Sequence, residues 1–223
     1  LLIEFMKVCP LPDLELETIF TKIRSKLLFL NFKDDQYGNI KEFVEALAEQ
    51  CFLNEYIYYE DKEEKIEIAK LERNIIENKD LISEIVITKL SLYRPLNKYT
   101  WTYKINRDLI NLSLQAILRE TTQENKLKLE INSIGQTRDA ISCLVKQQYE
   151  ENPYPRWVKI GLPLKARPIS EICAAKNLNL NSKSIQNVIT QNILVAGCGT
   201  GQHSIETAST FSDCQVTAVD LSL

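Results

Sequence analysis

The sequence predicts an α+β chain by segregation, an all-α helical region followed by the beginning of a parallel α/β unit, and three observations carry that prediction. Apolar residues recur at helical spacing through the first 150 residues. Prolines then cluster between Pro153 and Pro168. Last comes an unbroken apolar run, Ile193-Leu194-Val195-Ala196, leading straight into a glycine-rich loop. The expected organisation is a helical connector over 1–150, a proline-rich strap with a short helix over 151–192, and the start of an α/β domain over 193–223.

Asp13 is placed to cap the first long helix, whose apolar stripe is Leu16, Ile19, Phe20, Ile23, Leu27 and Leu30. Gly38 is expected in the turn that follows. Residues 40–52 then put Ile40, Phe43, Val44, Leu47, Ala48, Cys51 and Phe52 on one buried face. A charged helix is expected over 62–78, and another over 81–92, behind Asp80 and closed by Pro95. Two more fall at about 107–119 and 138–149. The mixed charges from Glu60 to Lys65 read as a solvated helix start that needs no partner. Tyr99, Trp101 and Tyr103 read as packing between helices. No internal repeat finds a register, so the helices form an irregular bundle or the end of an array.

Composition narrows the function classes. Hydrophobic residues are 44% and charged residues 26% of the chain, which suits a folded core and excludes disordered, collagenous and coiled-coil readings. Lys plus Arg number 27 against 30 Asp plus Glu, with no basic block, so there is no direct nucleic-acid signal. Charges interrupt every apolar stretch before the ~18 to 20 residues a membrane span needs, and no secretory leader is visible. A cytoplasmic location without membrane contact is expected. Cys9, Cys51, Cys143, Cys173, Cys198 and Cys214 are scattered, without a C-x-x-C pair and with His203 as the lone histidine. They read as free thiols rather than a disulfide scaffold or a zinc site. The sequence opens on Leu1 rather than methionine and stops three residues past Asp220, which leads us to expect a chain cut at both ends.

Prolines in Glu150-Glu151-Asn152-Pro153-Tyr154-Pro155-Arg156-Trp157 break any helix. Tyr154, Arg156 and Trp157 read either as a lid or ligand-facing strap, or as a rigid linker. A short helix over about 168–176 has a proline at its start, and a polar stretch over 177–192 leads on. From 193 to 220 the order is buried strand, glycine loop, helix, turn, strand, acid. An apolar run without alternation suits a central parallel strand covered on both faces. Gly197, Gly199 and Gly201 give the tight turn and close backbone approach that a ligand at the next helix start requires. Asp220 ends the second strand nineteen residues after Gly201, where an acid accepts hydrogen bonds from ribose hydroxyls. A nucleoside ligand follows. The G-x-G-x-x-G fingerprint would need glycine where Gln202 stands, and no Gly-Lys-Ser/Thr completes a phosphate-binding P-loop.

Gly197-Cys198-Gly199-Thr200-Gly201 after an apolar strand, with Asp220 ending the next, resembles the first motif of class I S-adenosylmethionine-dependent methyltransferases. The resemblance implies a Rossmann-like methyltransferase domain with S-adenosyl-L-methionine as cofactor, bound by Gly197, Cys198, Gly199, Thr200, Gly201 and Asp220. In that family an acid stands where this sequence has Val195. Together with the helical region and the Tyr149 to Trp157 segment, the chain is similar to bacterial proteins in which tetratricopeptide repeats precede such a domain. The repeats would then lie upstream of Leu1. The methyl acceptor, a protein or a small molecule, is left open, and no catalytic residue is named because acceptor-facing groups come from later strands. Cys198 reads as small-residue packing rather than a nucleophile, and His203 as a structural residue or weak cofactor contact. Two other functions stay open: a nicotinamide-dependent Rossmann oxidoreductase, and a helical interaction module with a vestigial nucleotide fold, the latter suggested by Val195.

Overall fold

A computed structural model describes residues 1–32, 34–78, 82–104, 106, 108, 110, 112–151, 153, 156–179 and 190–222. They divide into two units, Leu1–Asn132 and Ser133–Leu223. The division falls before the helix at 140–151, which the sequence had grouped with the helical region. The chain just ahead of it leaves Leu129 and Ile134 88% and 90% exposed, so burial does not tie that segment into the helical core.

In the first unit the helices are α1 (Leu2–Met6), α2 (Leu14–Phe29), α3 (Asp34–Leu53), α4 (Lys62–Glu77), α5 (Glu84–Ser91) and α6 (Leu112–Leu127), with 3-10 turns at Leu96–Lys98 and Thr100–Tyr103. Asp13 caps α2 by accepting the Leu16 N–H at 2.9 Å. The buried stripe of α2 is Phe20, Arg24, Leu27 and Leu28, rotated from the expected one, and it leaves Ile19 and Leu30 about half exposed. Of these, the apolar Phe20, Leu27 and Leu28 meet Val44, Leu47, Ile68, Ile87, Leu90, Leu114 and Leu118 in one hydrophobic core. Each such buried side chain contributes about 1.5 to 3 kcal/mol.

Gly38 is not in a turn: it lies inside α3, which starts six residues earlier than expected. Tyr37 explains the added turn, since its ring is buried and its hydroxyl bonds Thr88 Oγ1 at 3.1 Å, enough to offset the ~1 kcal/mol that a helical glycine costs. The Glu60 to Lys65 run is the expected helix start, with Asp61, Lys62, Glu63 and Lys65 exposed, but Glu60 and Glu64 do take partners. Asp61 and Glu64 close a reciprocal capping box on α4, with both N–H to carboxylate bonds at 2.8 Å, and Glu64 is 2% exposed. Glu60 forms a forked pair with Arg94. Asp61→Ala is expected to destabilise the first unit by about 1 kcal/mol in urea unfolding. Asp80 lies outside the described residues, and Ser83 caps α5 instead. Trp101 stacks on Tyr99 at 5.5 Å, and both pack against the core.

The second unit holds α7 (Ala140–Glu151), α8 (Ile169–Ala175), strand β1 (Gln191–Ala196), α9 (Gln202–Thr210) and strand β2 (Cys214–Val219). Asp139 caps α7 by accepting the Ser142 N–H at 2.8 Å, yet α7 buries no side chain. Pro168 precedes α8, where its missing N–H leaves nothing unpaired. β1 and β2 pair in parallel, from Gln191 opposite Cys214 to Ala196 opposite Val219, with α9 as the crossover that parallel pairing demands. Arg167 lies beside Phe211, donating its N–H to Thr210 O at 3.0 Å and accepting that of Ser212 at 2.9 Å. Here the strand expectation needs correction. Among the described residues β1 is covered on one face: Val195 is 6% exposed and Leu194 is 65% exposed. The apolar run reads as buried on both faces, but only one layer of structure packs on it. The architecture is therefore mixed and helix-rich with a two-stranded parallel sheet, and among the described residues no helix is long and apolar enough to cross a membrane.

Candidate functional site

The loop between β1 and α9 is built by hydrogen bonds that the strands themselves supply. The Val219 carbonyl, ending β2, accepts the N–H of Gly197 at 2.8 Å and of Cys198 at 3.1 Å, carrying the ladder one step past β1. The next N–H, that of Gly199, donates to Asp220 Oδ2 at 2.7 Å. Gly201 then donates to the Cys198 carbonyl at 3.0 Å and accepts the Ile205 N–H at 3.0 Å, which starts α9. Gly197, Gly199 and Gly201 have φ of +71°, +52° and +87°, which L side chains rarely adopt. A Cβ built on any of the three meets no atom within 4 Å, so glycine is needed there for backbone conformation, and the space above the loop is open.

Asp220 is held from both sides. Its Oδ1 accepts the Ser222 N–H and hydroxyl, each at 3.0 Å, while Oδ2 holds Gly199. Partial burial is the strongest single influence on its carboxyl and pushes the pKa up. Hydrogen bonds from the Ser222 N–H, the Gly199 N–H, the Ser222 hydroxyl and the Leu221 N–H together outweigh it, and the pKa falls below the usual carboxylate value. The group is an anionic acceptor through the neutral range. Its charge acts on the neighbouring thiol: burial first, then Asp220, raise the Cys198 pKa. A thiol held protonated is a poor nucleophile, despite its place before a helix N-terminus.

The other residues singled out from sequence fall as follows. Gly197, Cys198, Gly199, Thr200, Gly201 and Asp220 lie together on one loop cluster at the carboxyl ends of β1 and β2. Val195 is buried on the covered face, where it packs and offers a ligand nothing polar. His203 is exposed on the first turn of α9. Tyr154 lies outside the described residues. Trp157 reaches the loop, its indole N–H donating to the Thr200 carbonyl at 3.2 Å. Ser222 was not singled out from sequence, although an Asp followed two residues later by Ser is the signature of a turn in which the carboxylate bonds the next backbone. All six cysteines are free thiols, and no metal-capable cluster of side chains occurs among the described residues. No family model, curated protein or solved structure matches the chain.

Proposed function

We propose that the second unit carries the cofactor site of a Rossmann-like, S-adenosylmethionine-dependent methyltransferase. One observation carries the reading: the Asp220 carboxylate at the end of β2 faces the glycine loop at the end of β1, within 2.7 Å of the Gly199 N–H. An ionised acceptor beside an open, Cβ-free loop suits a ribose diol next to a small backbone-hugging chain. The residues present fit such a group. When bound, S-adenosylmethionine supplies a methyl already activated on its sulfonium, so the protein's task is placement. Here Asp220 would accept the two ribose hydroxyls, one on Oδ2 beside the Gly199 bond and one on Oδ1 in place of the Ser222 hydroxyl, and Gly197 to Gly201 would bound the methionine side. Val195 leaves the cofactor's amino group to other partners. The acceptor is an unidentified protein or small molecule, and no catalytic residue is assigned.

The reading is tested by isothermal titration of the full chain with S-adenosylhomocysteine and, separately, with NAD. Binding of the first and not the second is expected. Binding of NAD alone would make the protein an oxidoreductase, and heat from neither would leave a helical interaction module with a glycine loop that takes no nucleoside. The pH dependence has a definite sign. A carboxyl whose folded pKa is depressed contributes fully above its unfolded value, near 3.8, and loses its contribution only as pH falls through the lower folded value. Asp220 is therefore expected to leave affinity for S-adenosylhomocysteine flat from pH 8 to pH 5, and an inflection inside that window that Asp220→Asn abolishes would show that its carboxyl is not held anionic there.

A further inference from the structure

Within the proline-rich strap, Trp157 makes a contact with the loop that local geometry does not require. Trp157 stands 43 residues before Thr200, and its indole Nε1–H donates to the Thr200 carbonyl at 3.2 Å. We propose that Trp157 is a positioning residue for the glycine loop, holding it in its ligand-ready form. The inference rests on the reading that this loop binds the cofactor, and it names the residue that tunes it.

The argument follows the peptide planes. A carbonyl fixed on one side of a peptide fixes the N–H on the other side. With the Thr200 C=O turned to the indole, the Gly201 N–H turns to the Cys198 carbonyl, where it sits at 3.0 Å. That bond closes the turn holding Gly201 at φ +87°, the step from which α9 starts. Glycine has no Cβ to keep it there, and a Cβ on any of the three glycines would meet no atom within 4 Å, so no neighbouring atom wedges those three positions in place. At the strand end it is held by Val219 and Asp220, and at the helix end by the Ile205 N–H on the Gly201 carbonyl and by the indole. An isolated hydrogen bond of this type contributes about 0.5 to 1.5 kcal/mol, which converts to about a two- to tenfold change in the loop's opening equilibrium. The side chain is half-buried, so the bond is neither lost in bulk water nor locked in a core. Such a strap tunes affinity without touching the reacting atoms.

Trp157→Phe keeps the aromatic body and removes the donor. Hydrogen exchange of the ligand-free full chain is the first measurement, because it needs no ligand. Amides from 197 to 204 are expected to exchange about two- to tenfold faster in Trp157→Phe, with the β1 and β2 amides unchanged. The second measurement is titration with S-adenosylhomocysteine, whose affinity is expected to weaken by the same factor. Unchanged loop exchange overturns the proposal, as does an equal rise throughout the second unit, which is what a merely structural tryptophan would give. Faster loop exchange in a chain that binds no S-adenosylhomocysteine would uphold the positioning role and sink the methyltransferase reading. Binding with unchanged exchange would do the reverse. Should Trp157→Phe not fold, a Trp101→Phe chain leaves Trp157 as the sole tryptophan. Its emission is then expected to shift on titration, and a constant emission alongside a measurable heat of binding overturns the proposal.

Discussion

Asp220→Ala is expected to weaken S-adenosylhomocysteine binding about a hundredfold while leaving the fold of the second unit in place. Two hydrogen bonds from ribose hydroxyls to a carboxylate contribute about 1.5 to 3 kcal/mol each, so their joint loss exceeds the roughly 2.7 kcal/mol that a hundredfold represents. The same substitution frees the Gly199 N–H, which now donates to Oδ2 at 2.7 Å, and so loosens the loop as well. The sheet does not depend on this side chain: β1 and β2 are joined by backbone bonds, and Gly197 and Cys198 are held by the Val219 carbonyl. The freed N–H is near water, so the melting temperature of the ligand-free protein is expected to move little. Asp220→Asn separates charge from shape. Its amide oxygen can still accept the Gly199 N–H, but the second oxygen becomes a donor and loses the Ser222 N–H, and about a tenfold loss is expected. Calorimetric affinity within threefold of the parent protein for Asp220→Ala would show that no ribose is held there.

The second large effect lies far from the loop, in the helical unit. Arg24→Ala is expected to destabilise that unit by about 3 to 5 kcal/mol, read by urea unfolding through Trp101 emission in a Trp157→Phe background. Arg24 is completely buried on α2. Its guanidinium carbon lies 4.1 Å from the Tyr93 ring centroid and 5.7 Å from that of Tyr58, and Nη2 donates to the carbonyls of Tyr58 at 3.3 Å and Tyr59 at 2.7 Å. Among the described residues no carboxylate bonds it directly. Compensation runs through the ring: the Tyr93 hydroxyl donates to Glu64 Oε1 at 2.6 Å, so a buried anion and a buried cation polarise one aromatic from two sides. Burial also pushes the Cys51 thiol up to about 12, against the downward pull of Arg24, and keeps it a neutral packing group. Removing the guanidinium leaves two carbonyls without a donor, a cavity, and Glu64 without its cation across the ring. Arg24→Met keeps the stem and is expected to cost about half as much. A loss below about 1 kcal/mol for alanine would mean that the cluster contributes nothing net, as some buried ionic groups do.

Arg24 also marks where sequence reasoning stopped. Between Ile23 and Leu27 a charged residue reads as the solvent side of an amphipathic helix, and the stripe was drawn through Ile19 and Leu30. Two tyrosine rings and a pair of carbonyls, supplied from 34 residues away and beyond, make that position an interior one. Gly38 failed for a related reason, since a single glycine is a turn signal until a buried Tyr37 outbids it. The exposed Leu194 failed because an apolar strand says what would be favourable to bury, not what is present to cover it. By contrast the cap at Asp13, the proline before α8, and the strand, glycine loop, helix, strand and acid from 193 to 220 were legible directly. Each rests on dihedral limits or hydrogen bonds spanning four residues or fewer, or on a spacing within one β-α-β step. That much the amino-acid order determined by itself. The tertiary structure alone decided which charged groups are interior, where the chain divides, that the Asp220 carboxylate turns onto Gly199, and that Trp157 lands on Thr200. Those outcomes depend on segments far apart in the chain meeting in space, and no local rule of backbone or periodicity carries that information.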